Sequence, residues 1–401
     1  MTSDSEAPTC PFDFSEGLEF DPSLAELMAR DSITRIRLPY GKSDAWLVTG
    51  FDEVRQVTTD QRFSRAAIVG SDYPRMTPEP IVSPESINVI DPPDSSRLRR
   101  LASQAFTLRH VEPMRQKITL LADGLLDEMA AQGSPADLVR HLSDPLPQRT
   151  IFDVLDVAQD DRPRVQQYCH QLLSTDTASR QAAATAKAEL RAYFGELVGQ
   201  RRRSPGDDLI SALAAAKDGE DALNDEELAV MALTLTLSGQ DTATVEISNI
   251  VYLLLTRPEL MAYVRSRGED LSDPLNELLR FIPFRKGVGI PRVALEDVAM
   301  GGKLIQAGDY VHVSYLTANR DPEHFPDPDV IDLARPPVSH MTFGWGGHRC
   351  IGAPLAMAEL EVAIGRLLQR FPELRLAVPP EDVPWDTETI RRFPIELPVA
   401  W

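Results

Sequence analysis

Cysteine is scarce in this chain: Cys10, Cys169 and Cys350 are the only three in 401 residues. Thiols so few and so far apart build no disulfide framework, and a reducing cytoplasm suits them. Long apolar runs are missing as well. No eighteen consecutive apolar residues occur, so no membrane-spanning helix and no membrane partner are expected. The first residues are acidic and polar and lack the apolar core of a signal peptide. Lysine is rare, six of 41 basic residues, which leaves 41 − 6 = 35 arginines. Basic charge is in deficit overall: the net charge of −20 makes nucleic acid an unexpected partner. Internal repeats and domain linkers are absent.

With 43% apolar and 25% charged residues, the remainder is typical of a globular protein with a large core. Residues 1–20 read as a loose tail and 21–401 as one domain. Ile36 and Leu38, then Trp46-Leu47-Val48 after Gly41, predict a β-hairpin, and Phe51 to Thr59 a short helix. Residues 64–90 lack periodicity and hold Pro74, Pro78, Pro80 and Pro84, which predicts a long loop of the functional kind. Asp91-Pro92-Pro93-Asp94 opens a helix carrying Arg97, Arg99, Arg100, Arg109 and His110, with no acidic residue until Glu112. In so acidic a chain this basic patch stands out. Helical periodicity then continues over 112–217.

Asn224-Asp225-Glu226-Glu227 is a strong helix start, and Arg257-Pro258 a stop. The helix between spans about 33 residues, roughly 48 Å. It is apolar nearly all round from Leu228 to Leu237, hence buried. Ser238-Gly239-Gln240-Asp241-Thr242 interrupts it with residues costly in such a place. Either Gly239 allows close helix packing while Thr242 bonds back to a carbonyl, or the helix kinks to admit a diatomic ligand beside an acid and an alcohol. Glu277 and Arg280 share one helix face. Short strands follow near Val298, Leu304 and Val311–Tyr315, and again near the C-terminus.

One stretch organises the rest: Phe343-Gly344-Trp345-Gly346-Gly347-His348-Arg349-Cys350-Ile351-Gly352. A cysteine sits in a glycine-rich loop that runs through Pro354 into a helix with its apolar stripe at Leu360, Ile364, Leu367, Leu368 and Phe371. A thiol just before a helix N-terminus tends toward thiolate, the metal-binding form. Flanking glycines let a flat ligand approach the backbone.

Phe343, Gly346, His348, Cys350 and Gly352 fill all five places of a pattern that resembles the haem-binding loop of the cytochrome P-450 family. Gly239, Asp241 and Thr242 resemble the family's distal motif, from which Ser238 and Ala243 depart. Glu277 and Arg280 are similar to its Glu-x-x-Arg motif, with Arg335 the expected third member of a buried ion network. The four motifs stand in family order over nearly the whole chain, and soluble actinobacterial members look nearest. Ser95 stands where the family often has histidine, and Met357 where arginine is usual.

The resemblance implies a mainly α fold with small β-sheets, a long central helix over the haem and the cysteine loop beneath it. It implies haem b (iron protoporphyrin IX) with the Cys350 thiolate as axial ligand. Arg99, Arg292 and His348 match propionate donors; Asp241 and Thr242 match the proton-delivery pair. The implied partners are a small-molecule substrate, O2, and a ferredoxin with its reductase, NAD(P)H being the ultimate donor. Hydroxylation or epoxidation of a specialised metabolite is the expected reaction, and oxidative coupling or cyclisation of an aromatic or peptide-like metabolite the alternative. A haem sensor without turnover would not need Asp241 and Thr242. The pocket is expected from loop 64–90, helices near 165–195 and the turn near 389–392, with Leu237, Ser238, Arg285 and Val288 as wall candidates. Arg285, and less strongly Arg65 and Arg75, would hold a polar or anionic group of the substrate. The basic helix over 97–109 is expected to dock an acidic ferredoxin.

Overall fold

The computed structural model describes residues 7–10, 17–77, 84–173, 180–336, 339–387 and 389–401. Pro78 and Pro80 of the long loop, part of the 165–195 region, and the side chains of Arg109 and His110 lie outside what is described. The fold is mainly α with small sheets. The chain forms two compact units, Met1–Ser96 with Asn276–Cys350 and Glu388–Arg392, and Arg97–Leu275 with Ile351–Thr387 and Phe393–Trp401.

The first unit holds a five-stranded sheet in the order Ile33–Ile36, Ala45–Val48, Tyr310–Val313, Arg292–Ala294, Phe63–Ser64. The hairpin is antiparallel, Ile33 opposite Val48 and Ile36 opposite Ala45. Tyr310–Val313 joins Ala45–Val48 in parallel, which no hairpin turn can supply, so the sheet closes on a remote part of the chain. Alternate residues of these strands, Ile33, Val48, Val311 and Val313, pack with Phe51, Val54 and Phe325 into one core. At residues 7–10, within the stretch read as a loose tail, the Cys10 N–H donates to the Arg37 carbonyl (2.8 Å) and Cys10 is buried.

The second unit is helical. Its central helix, Asp225–Thr256, is 32 residues long and starts with a capping box: the Glu227 N–H donates to Asn224 Oδ1 and the Asn224 N–H to Glu227 Oε2, both 2.9 Å. Helices Pro145–Val154, Arg180–Arg203 and Ala353–Arg370 pack against it. The predicted basic helix is two helices, Asp94–Ala105 and Leu108–Gln132. They part because Thr107 takes an extended conformation as N-cap of the second. No helix among the described residues is long and apolar enough to cross a membrane.

Candidate active site

The cysteine loop belongs to the first unit, where helix Phe51–Thr59 supports it. The Trp345 ring stands edge-on to Phe51 (5.9 Å between centroids) and packs on the core described above. Gly346 has φ +66°, and a Cβ there would lie 2.3 Å from the Thr58 carbonyl oxygen, so only glycine fits this approach. The Cys350 N–H donates to the Phe343 carbonyl (2.7 Å), closing the loop. At its base the buried Asn319 accepts from the Met341 N–H (2.6 Å) and donates to Thr342 Oγ1 (2.9 Å), which donates to the Leu279 carbonyl (2.8 Å). Cys350 itself is exposed and forms no disulfide. It lies three residues before helix Ala353–Arg370, whose N-cap is Gly352 and whose first turn carries Pro354.

Glu277, Arg280 and Arg335 come together. Arg280 Nε and Nη2 each donate to the Glu277 carboxylate at 2.7 Å, and Arg335 Nε donates to it at 3.3 Å. Arg280 Nη1 also reaches the carbonyls of Asn319 and Pro328, both 2.9 Å, tying the ion pair to the loop base.

Arg292 lies 1% exposed on the sheet. Among the described residues its Nη1 and Nη2 meet no acceptor. A buried cation left so is unfavourable unless an anionic ligand group compensates it. His312, on the adjacent strand, offers no competing charge: burial pushes its pKa down to about 4. Arg285 is half-buried over the Phe284 ring (5.7 Å). Burial draws its pKa down, and among the described residues no carboxylate pairs with it. It forms an antiparallel bridge with Arg391, whose pKa burial pushes down to about 10. The weaker candidates have protein partners: Arg65 donates to the Asn88 carbonyl and Arg75 to Asp72. Val288 sits in an apolar cluster with Leu24, Leu27 and Leu47, which accounts for it without a ligand.

In the second unit the central helix continues without a break through Ser238–Thr242. Gly239 allows close packing: a Cβ there would lie 3.1 Å from Ile151. Leu237, Gly239, Gln240 and Asp241 are half-buried, and Ser238 and Thr242 are exposed. The hydroxyls of Thr234, Thr236, Thr244, Ser248 and Thr256 all donate to the carbonyl four residues back, at 2.8–3.0 Å. Those of Ser238 and Thr242 make no such bond, so the back-bonding reading of Thr242 does not hold. Arg99 is half-buried on helix Asp94–Ala105, next to the patch that expectation left bare. Part of that patch is neutralised: Arg97 grips Asp221 (2.9 Å) and Glu227 (2.6 Å), and Arg100 pairs with Asp218 (2.5 Å).

Sequence reasoning missed two buried acids. Glu246 is 4% exposed, and neither carboxylate oxygen has a partner among the described residues. Glu359 on helix Ala353–Arg370 is buried beside the Thr150 hydroxyl. Burial holds both well above the usual carboxylate range. The signal was available: each is a charged residue at an apolar position of a helical pattern.

An accessible thiol on a glycine-shaped loop and a buried arginine without an acceptor among the described residues would suit a ligand that carries a metal and carboxylates. The sequence profile of the family described as cytochrome P450 matches residues 41–267 and 271–391. This chain belongs to the cytochrome P450 family. It is an oxidoreductase, a haem-thiolate monooxygenase of specialised metabolism that acts on a small molecule with O2 and a redox partner. It is 46% identical over 392 residues to nocardicin C N-oxygenase of Nocardia uniformis, covering 98% of each chain. It is 43% identical to biflaviolin synthase CYP158A1 of Streptomyces coelicolor, covering 96% of this chain and 94% of that one. Among solved structures, cytochrome P450mel 107F1, described as having biaryl coupling reactivity, is 57% identical with TM-score 0.94, covering 99% and 100%.

Proposed function

We propose that this P450 inserts oxygen into a specialised metabolite by hydroxylation or epoxidation, with electrons from a ferredoxin and its reductase, in the cytoplasm. Cys350 would bind the iron of haem b through its thiolate; Arg292, Arg99 and His348 would hold its carboxylates, and Gly346 and Gly352 would leave it room beside Phe343. When bound, haem with a thiolate ligand supplies the electron-rich iron that favours O–O cleavage. Asp241 and Thr242 hold and pass protons at the distal side. The observation that carries the reading is Thr242: its hydroxyl is unspent on a helix where five neighbouring hydroxyls are tied to the backbone. Arg285, which pairs with no carboxylate among the described residues, orients a polar or anionic group of the substrate.

A second reading, coupling of two aryl units without oxygen insertion, is favoured by the 57% identity to a P450 with biaryl coupling reactivity. Turnover under oxygen-18 separates the two, since label enters the product only on insertion. The haem assignment is tested by the reduced carbon monoxide complex, which should show the red-shifted band of thiolate-ligated haem and lose it in Cys350→Ser. A band that survives in that variant overturns it.

A further inference from the structure

Ser238, Thr242 and Glu246 are spaced by four, so they form one stripe along the central helix. All three polar side chains lack the partner their neighbours have. The two hydroxyls are not bonded back to the helix, and Glu246 is 4% exposed with both oxygens unpaired among the described residues. Helical side chains lean toward the N-terminus, over the preceding turn. Glu246 therefore leans toward Thr242, and Thr242 toward Ser238. A buried carboxyl without an ion partner stays protonated and has a proton to give. Ser238 and Thr242 are exposed, so their hydroxyls are open to a bound group, whereas Glu246 is buried and packing does not explain a carboxyl there, since an apolar residue would pack at less cost.

We propose that Glu246 is a buried proton store that recharges Thr242, with Ser238 as the next hydroxyl of the same line. This rests on the monooxygenase reading and adds a residue to it. Thr242 gives its hydroxyl proton to the dioxygen being reduced by the redox partner's electrons and takes the Glu246 proton, directly or through one water. Only O–H bonds are made and broken. The carboxylate left behind regains a proton from solvent before the next turnover. Glu246 acts through Thr242 and is a positioning residue; Thr242 reaches the reacting oxygen.

The test is Glu246→Gln, which keeps the shape and removes the acidic proton. Infrared difference spectra of the wild type at neutral pH should show a protonated carboxyl stretch that shifts in D2O; one component should vanish in Glu246→Gln, with Glu359→Gln identifying the other. In haem-loaded enzyme the variant should keep its substrate-induced spectral shift, lose several-fold more electrons to peroxide, and show a larger D2O effect on product formation. Unchanged peroxide and isotope effect, or no acid component assignable to Glu246, would overturn the proposal. If Glu246→Gln does not fold, Glu246→Met should show the same uncoupling with a melting temperature at or above wild type; intact coupling there overturns it equally. A wild type without the thiolate-haem band would instead sink the monooxygenase reading itself.

Discussion

Glu277 receives two hydrogen bonds from Arg280 at 2.7 Å each and a third from Arg335 at 3.3 Å, and both partners of the first pair are buried. The same guanidinium holds the Asn319 carbonyl, and the Asn319 side chain holds the base of the cysteine loop. Loop and ion pair are one mechanical assembly. Removing one partner of a buried pair leaves an uncompensated charge, at a cost of about 3–5 kcal/mol. Glu277→Gln should lower the denaturant midpoint accordingly, and Cys350 loop order with it. An unchanged midpoint would show that the carbonyl bonds of Arg280 suffice.

The arginines of helix Asp94–Ala105 are not a bare docking patch, because strand Lys217–Asp218 and its hairpin partner cover them with carboxylates. Arg97, gripped by two acids, is structural. Arg100 is 54% exposed and its pair with Asp218 is of the weak surface kind. Asp218→Asn should free it and raise the rate of electron transfer from an acidic ferredoxin at low ionic strength, with the gain gone at high salt. Stopped-flow reduction over a salt series reads this; a rate indifferent to both variant and salt puts docking elsewhere.

Arg285 pairs with no carboxylate among the described residues, and burial already weakens its hold on the proton. If it meets a charged or phenolic group of the substrate, Arg285→Ala should weaken binding by about 1.5–3 kcal/mol. The haem spectrum without substrate should not change. Equal affinity in spectral titration would return the case to an apolar substrate.

Two histidines set an acid limit. His312 and His340 are both pushed from 6.5 to about 4 by burial, His340 further by nearby Arg280 and Arg349. The unfolded chain therefore binds protons between pH 6.5 and 4 that the folded chain refuses, so the stabilisation is full above about pH 6.5 and is lost as pH falls toward 4. A pKa lower by one in the folded chain corresponds to about 1.36 kcal/mol. His340→Gln should flatten the fall of unfolding free energy with pH over that window, and a slope identical to wild type would place the acid sensitivity elsewhere.

What the residues alone determined is local. The cap at Asn224, the stop at Pro258, the hairpin near Gly41 and the ten-residue cysteine loop each depend on neighbours a few positions away, and those leave a periodic or positional trace. Even the loop's chemistry was legible, because glycine and proline constrain the backbone wherever they stand. Only the tertiary structure decided which charges meet. Arg97 finds Asp221 and Glu227 across 124 and 130 positions, so part of a basic stretch in the sequence is neutralised in the fold. It also decided which hydroxyls on the central helix stay unspent, and that Glu246 is buried with nothing to pair with among the described residues. Desolvation is a property of what packs around a group, and no spacing rule along one helix encodes it.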